Sequence, residues 1–111
     1  MQLKTTISNS ITIIVLSGRI DTTNADDLHA ALIALLHDRP PHFIIDMNAV
    51  DYLSSAGMRA FLITIKEIET RHGKMLFVGF CPMVEEVVHM AGLNKYFPQF
   101  LSVEIARLEF S

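Results

Sequence analysis

Short β-branched apolar runs near the start of the chain are typical of strands. The run from Ile11 to Leu16 is closed by Ser17-Gly18. Asn9-Ser10, just before it, is a turn signal that folds this run back onto Leu3 to Ile7. The sequence therefore predicts two N-terminal strands joined as a hairpin.

From Asn24 onward the apolar residues change to helical spacing. Asn24 belongs to the residue types that cap helices, and Asp26 and Asp27 suit the positive end of the helix dipole. The helix is predicted to end at Arg39-Pro40-Pro41, since proline cannot continue it. Its apolar stripe consists of Leu28, Leu32, Leu35 and Leu36.

A third strand and a second helix follow. The segment from His42 to Asp46 is short and nearly all apolar, as in a strand covered on both faces, and we expect Asp46 to lie at its carboxyl end. After the polar and small segment Asn48 to Asp51, a helix is predicted to begin at Ser54-Ser55 and to end at Gly73. Its apolar stripe consists of Met58, Phe61, Leu62, Ile65 and Ile68.

The last third of the chain repeats this alternation. Lys74 to Gly79 is predicted to be a fourth strand, and Pro82 opens a helix with Gly92 as the residue after its C-cap. We expect Tyr96 to Leu101 to form an edge strand and Ser102 to Leu108 a short closing helix.

Strands alternating with helices predict right-handed crossovers and an α/β fold. We expect one domain over residues 1–111, with a mixed, mostly parallel β-sheet, an N-terminal hairpin and packed α-helices. Ligands and switches in such sheets lie outside the carboxyl ends of the strands. Here those regions are Ser17 to Asp21, Asp46 to Ser55 and Gly79 to Pro82.

Composition limits the possible partners. The chain has 111 residues, 50% of them hydrophobic, and a formal charge of -3 without a run of like charges, which argues against nucleic acid as a partner. The single cysteine, Cys81, excludes an internal disulfide framework and suits a reducing compartment. No apolar stretch reaches the roughly 18 residues of a membrane span. We therefore expect a cytoplasmic protein without direct membrane insertion.

The polar residues do not match a catalytic or metal-binding motif. The segment Leu53 to Gly57 lacks the leading glycine of a G-x-S-x-G elbow, and no phosphate-binding glycine loop is present. The histidines form neither an i, i+4 pair nor a short motif with carboxylates. We expect no enzymatic activity, metal or cofactor. These histidines are His29, His37, His42, His72 and His89.

The Ser54-Ser55 pair combines three features. It opens an amphipathic helix, follows a short loop after a strand, and precedes Ala56-Gly57, whose small side chains leave the backbone approachable. A serine at this place can act simply as an N-cap, typically worth about 1 kcal/mol. It can also be phosphorylated, which adds negative charge at the positive end of the helix dipole.

The segment from Asp46 to Arg59 resembles the signature of STAS domains, specifically of stand-alone anti-sigma factor antagonists. Support comes from Gly18 to Asp21 before a helix, from Gly73 to Met75 entering a strand, and from Pro82 to Leu93. The resemblance covers nearly the whole chain and implies a STAS-type domain.

The resemblance implies partner switching. The unphosphorylated antagonist binds an anti-sigma factor that is also a serine kinase, phosphorylation ends that binding, and a PP2C-type phosphatase restores it. The phosphoacceptor falls on Ser55, and Asp21 and Asp46 fall on the acidic positions near it. Where many members carry aspartate, this chain has Ser54, which can compete as acceptor.

The surroundings expected for the phosphosite are Asp21, Asp46, Ser54 and Gly57. The expected partner surface combines the start of the second helix with the loop before the first. Its residues are Asp21, Thr22, Asn24, Ser54, Ser55, Ala56, Met58 and Arg59.

Two other functions fit the same resemblance. Related single STAS domains serve as constitutive subunits of phospholipid transport ATPases or of stress-signalling complexes. In that role Ser55 would not need to be phosphorylated and dephosphorylated. A STAS sheet can also accept a small ligand or a nucleotide.

Overall fold

A computed structural model describes residues 1–110, which alternate between strands and helices as the sequence predicts. The α/β fold class is confirmed, and Ser111, the last residue of the predicted domain, lies outside the described residues. The strands are β1 (Gln2–Ser8), β2 (Ile11–Ile20), β3 (His42–Leu53), β4 (Lys74–Val78) and β5 (Gln99–Phe100). The α-helices are α1 (Ala25–His37), α2 (Ser55–Thr70), α3 (Pro82–Met90) and α4 (Val103–Arg107), with 3-10 turns at Asn94–Tyr96 and Leu108–Phe110.

The strands form one sheet in the order β1-β2-β3-β4-β5. The β1–β2 pair is antiparallel, and the three other pairs are parallel. Asn9 and Ser10 connect β1 to β2 with φ angles of 54° and 67°, and two positive φ angles match the twist of a tight hairpin. The predicted N-terminal hairpin and the mostly parallel sheet are both confirmed.

Both faces of the sheet are covered. The main core joins one face to α1, α2 and α3, and includes Phe61 and Phe77, whose rings meet edge to face at 5.2 Å between centroids. A smaller cluster on the other face joins Ile13, Ile44 and Leu76 to Ala106 of α4. This two-sided burial explains the nearly continuous apolar run at the start of β3.

The two central strands are longer than the sequence predicts. β2 passes through Ser17-Gly18 to Ile20, and β3 passes through Asp46 to Leu53, so the prediction that Asp46 ends its strand is wrong. Beyond Asp46, β3 continues to pair with β2 across two irregularities in register, although β4 has already ended opposite it at Val78. Pairing with β2 thus keeps extended a segment in which exposed Asn48 and Asp51 alternate with the buried residues Met47, Val50 and Leu53.

The ends of α2 and α3 show two different uses of glycine. Gly92 has a φ of 71° after α3, and the amide of Leu93 donates to the carbonyl of Val88, which confirms the predicted C-cap. The helix α2 is predicted to end at Gly73, but it ends at Thr70, and the residue with a positive φ after it is His72, at 61°. Gly73 is needed for a different reason, because a Cβ there would lie 1.9 Å from the Pro41 carbonyl oxygen.

The predicted edge strand and closing helix are confirmed as β5 and α4, although both are shorter than expected. Ser102 caps α4 by accepting a hydrogen bond from the amide of Ile105 at 3.2 Å. Among the helices of residues 1–110, none combines the length and the apolar character required to cross a bilayer.

We expect Gly73→Ala to lower the free energy of unfolding by about 3 kcal/mol. The added Cβ would clash with the Pro41 carbonyl, and moving this carbonyl away would break the hydrogen bond that it accepts from the Lys74 amide. Gly92→Ala is the matched control, since its Cβ meets no atom within 4 Å and only left-handed strain of about 1 kcal/mol remains. Urea denaturation of both variants measures the difference. Equal losses would contradict the steric role of Gly73.

Candidate functional site

The candidate site lies where β2 and β3 end together. Ile20 is paired with Leu53, and the amide of Ser54 donates to the carbonyl of Ile20 at 2.9 Å. The loop Asp21–Asn24 leaves this point toward α1, and α2 begins beside it. The site therefore occupies the carboxyl edge of a parallel strand pair, as the sequence predicts.

Ser54 is the N-cap of α2. Its backbone is extended, with φ -85° and ψ 168°, and its Oγ accepts a hydrogen bond from the Gly57 amide at 3.1 Å. The side chain is half-buried. Its hydroxyl oxygen thus accepts a hydrogen bond from one of the amides that have no partner within the helix at its start.

Ser55 occupies the first position of α2 and is exposed. Two residues later, a Cβ on Gly57 would lie 2.6 Å from Ile20 Cγ2 and 2.7 Å from Leu53 Cδ1. The first turn of α2 therefore rests directly on the strand ends. This contact holds the backbone that carries Ser55 in a fixed place.

The Asp21 carboxylate organises the neighbouring loop. Its Oδ1 accepts hydrogen bonds from the Thr23 hydroxyl at 2.5 Å and from the Thr23 amide at 2.9 Å. The Thr23 hydroxyl, followed by its amide, lowers the pKa of Asp21, and Arg19 lowers it further. Asp21 is therefore an anion at neutral pH, close to the start of α1.

Asn24 stabilises the loop rather than capping α1 with its side chain. Its Oδ1 accepts from the Asp21 amide at 3.0 Å, and its Nδ2 donates to the Arg19 carbonyl at 2.9 Å. The residue does occupy the N-cap position, but the expected side-chain cap is wrong. The amide group instead holds the loop against the end of β2.

A groove of about 240 Å³ runs between the starts of α1 and α2. Arg59 and Ser55 contribute from α2, and Asp26 and His29 contribute from α1. Small and apolar side chains complete the lining, namely Ala25, Ala56, Ala60 and Ile63. The groove gives a partner a concave surface with Ser55 on its wall.

Two predicted site residues lie elsewhere. Met58 is 7% exposed and belongs to the main core, so its expected place on a partner surface is wrong. Asp46 pairs with Val15, five β2 residues before Ile20, on the order of 16 Å along an extended strand. Its carboxylate accepts hydrogen bonds from the amide and the side chain of Asn48. Asp46 is thus separate from the serine pair.

Sequence reasoning missed the pairing of Arg19 with Tyr52. The Arg19 guanidinium carbon lies 4.1 Å from the centroid of the Tyr52 ring, and Nε lies 3.9 Å from Asp21 Oδ2. The two residues are register partners on β2 and β3. The extension of both strands was the missing signal, because it alone places Arg19 opposite Tyr52.

The STAS domain family model matches residues 2–106. The chain belongs to the STAS domain family. BtrV of Bordetella bronchiseptica, named as an anti-sigma factor antagonist, is 32% identical over 86% of this STAS chain and 82% of its own length. RsfB of Mycobacterium tuberculosis, named as an anti-sigma-F factor antagonist, is 28% identical over 88% of this chain and 80% of its own.

Solved structures show the same fold. The crystal structure of an anti-sigma factor antagonist from Mycobacterium paratuberculosis superimposes on this STAS domain with a TM-score of 0.86 and 27% identity. It covers 97% of this chain and 92% of the other. The unphosphorylated form of SpoIIAA shares the fold with a TM-score of 0.79 at 20% identity, over 99% and 96% of the two chains.

The two serines are expected to differ in their effect on stability. Ser54→Ala removes the N-cap bond to Gly57 and should lower the free energy of unfolding by about 1 kcal/mol. Ser55→Ala, the matched control, should change it by less than about 0.5 kcal/mol because Ser55 is exposed. Chemical denaturation at pH 7 measures both, and a larger loss for Ser55→Ala would overturn the assignment of the cap.

The hydrogen bond from the Thr23 hydroxyl to the Asp21 carboxylate leads to a prediction about the pKa of Asp21. Thr23→Val should raise the pKa of Asp21 toward its ordinary value, because the hydroxyl donor is lost while the amide donor remains. Since a lowered carboxyl pKa stabilises the fold above the unfolded-state pKa and this stability is lost on acidification, the variant should lose less stability below roughly pH 4.

Titration of the Asp21 carboxyl carbon by NMR measures this change. Thr22→Val is the control, because Thr22 is exposed and the carboxylate accepts its bonds from Thr23. A rise of equal size in both variants would show that the Thr23 hydroxyl has no special role.

Proposed function

We propose that this STAS domain is an anti-sigma factor antagonist that acts by partner switching. In its unphosphorylated form it binds an anti-sigma factor that is also a serine kinase, and so releases a sigma factor. Phosphorylation of Ser55 ends the binding, and a PP2C-type phosphatase restores it. The protein is a ligand and a substrate in this cycle, not an enzyme, and it works in the cytoplasm.

The relatives support the general function. BtrV and RsfB carry the names of anti-sigma factor antagonists, and each aligns with more than four-fifths of this chain. The structural relative from Mycobacterium paratuberculosis carries the same functional name and matches almost end to end. Similarity over more than four-fifths of this chain favours an anti-sigma factor antagonist.

The contrast between the two serines is the observation that carries the phosphorylation proposal. Ser55 is exposed at the first position of α2, where a kinase can reach its hydroxyl. Ser54 is half-buried, and its oxygen accepts the bond that caps the helix. A phosphate on Ser54 would disturb this cap, whereas one on Ser55 would leave it in place.

The position of Ser55 explains how a phosphate changes recognition without unfolding the domain. A phosphoserine carries a charge of about -1.5 to -2 at pH 7, and the positive end of the α2 dipole tolerates this charge. Asp21, in the loop at the same edge of this strand pair, already carries a negative charge because its pKa is lowered. The modified surface is therefore much more negative, while the backbone below it stays packed through Gly57.

The proposed partner surface combines the groove with the loop before α1. Ser55 and Arg59 are exposed and line the groove. Thr22 is exposed on the loop, which the hydrogen bond between Asp21 and Asn24 holds in place. Met58 supports this surface from the core instead of contacting the partner.

Phosphate transfer from the cognate kinase tests the acceptor. Ser55→Ala should abolish incorporation, because it removes the accessible hydroxyl. Ser54→Ala should retain incorporation, because Ser55 remains exposed. Phosphopeptide mapping of the wild-type protein checks the position.

Undiminished incorporation into Ser55→Ala would refute the acceptor assignment. A second outcome would refute the switch itself: a protein isolated from cells under several growth conditions that never carries phosphate and co-purifies with a transport ATPase. That result would favour the constitutive-subunit function.

Arg59→Glu should weaken binding to the unphosphorylated protein by about tenfold or more, since it reverses an exposed charge beside Ser55. Lys95→Glu makes the same charge change at an exposed residue in a different groove, and should leave the affinity nearly unchanged. Isothermal titration with the purified kinase measures both. Equal affinities for the two variants would place the partner elsewhere.

A further inference from the structure

We propose that Arg59 is the internal receptor for the phosphate on Ser55, and that this ion pair withdraws the Arg59 cation from the partner. The inference rests on the proposed phosphorylation of Ser55. It adds a mechanism for the switch: the phosphate acts by neutralising a group that the partner needs, in addition to placing a new charge in front of it.

The spacing of the two residues is the first support. Ser55 and Arg59 are four residues apart on α2, so they lie on the same face with Cβ atoms roughly 5–6 Å apart. The anion is on the N-terminal side of the cation, which is the favourable order for an i, i+4 pair. An arginine can also offer a planar pair of donors to a phosphate.

The groove provides the second support. Ser55 and Arg59 line it together, and the residues beside them on α2, Ala56 and Ala60, are too small to separate the two side chains. At roughly 30 Å³ for each water molecule, a groove of about 240 Å³ holds several waters that a phosphate can displace. The phosphate therefore has space to reach Arg59.

The charges around the groove identify Arg59 as the receptor. Within residues 1–110 Arg59 makes no ion pair with a carboxylate, so the phosphate does not have to break one. From α1, the Asp26 carboxylate repels the phosphate, and His29 is the other nitrogen-bearing side chain of the lining. Arg59 is the arginine in the groove lining, and its guanidinium can offer the phosphate two parallel donors.

The test uses the full chain with phosphoserine incorporated at position 55, titrated by ³¹P NMR. Arg59→Gln should raise the second pKa of the phosphate by about 0.3 unit, as expected for an exposed i, i+4 pair. Arg59→Lys should keep most of the wild-type value. Lys66→Gln, the control on the same helix, should not change this pKa. Lys66 lies roughly 16 Å from Ser55 along the helix axis, and at 0.1 M salt its charge is screened from the phosphate.

An unchanged pKa in Arg59→Gln would overturn the ion pair. The second half of the proposal is tested by a binding cycle with the purified kinase. Phosphorylation should reduce affinity by a smaller factor in Arg59→Gln than in the wild-type protein. Equal factors would overturn the withdrawal mechanism.

The titration needs no partner, so failure of the proposed function is distinguishable from failure of the ion pair between Arg59 and the phosphate. If no form of the protein binds the kinase while Arg59→Gln still raises the phosphate pKa, the partner-switching proposal and the withdrawal mechanism are contradicted, and the ion pair between Arg59 and the phosphate stands.

Discussion

The pairing of β2 with β3 beyond the end of β4 is the constraint on which the site depends. This pairing continues to Ile20 and Leu53, and the Ser54 amide extends it by one further hydrogen bond to Ile20. Gly57 then lets the first turn of α2 rest on the side chains of the same two residues. One strand pair thus sets the position of both the Asp21–Asn24 loop and the start of α2.

Most of the fold is predictable because its apolar patterns are local. The α1 and α2 stripes, the hairpin turn at Asn9-Ser10 and the glycine after α3 each follow from short-range chemistry. The full length of β3 is not predictable in this way, because its buried residues Met47, Val50 and Leu53 are three apart instead of following the two-residue period of a strand. Its second half pairs with a strand that lies far away in sequence. The role of Gly73 was missed for a similar reason, since its close neighbour is Pro41.

The site was predictable in position but only partly in composition. Ser54-Ser55 can be located from sequence, yet which serine caps and which is exposed depends on where α2 begins to within one residue. The position of Met58 after the serine pair predicts a surface residue, whereas its place in the apolar stripe of α2 predicts a core residue, and the structure places it in the core. Asp46 is expected near the serines from the family resemblance and from a β3 that ends at Asp46, and the longer β3 separates them.

The division of labour between Ser54 and Ser55 also bears on protein lifetime. Proteolysis in cells acts largely on opened or unfolded chains, so a switch that loosened its own helix would expose one signalling state to degradation. Here the residue that secures α2 is not the residue proposed for modification. Modified and unmodified molecules should therefore persist equally, and the cell can reverse a signal with the existing pool instead of synthesising a new one.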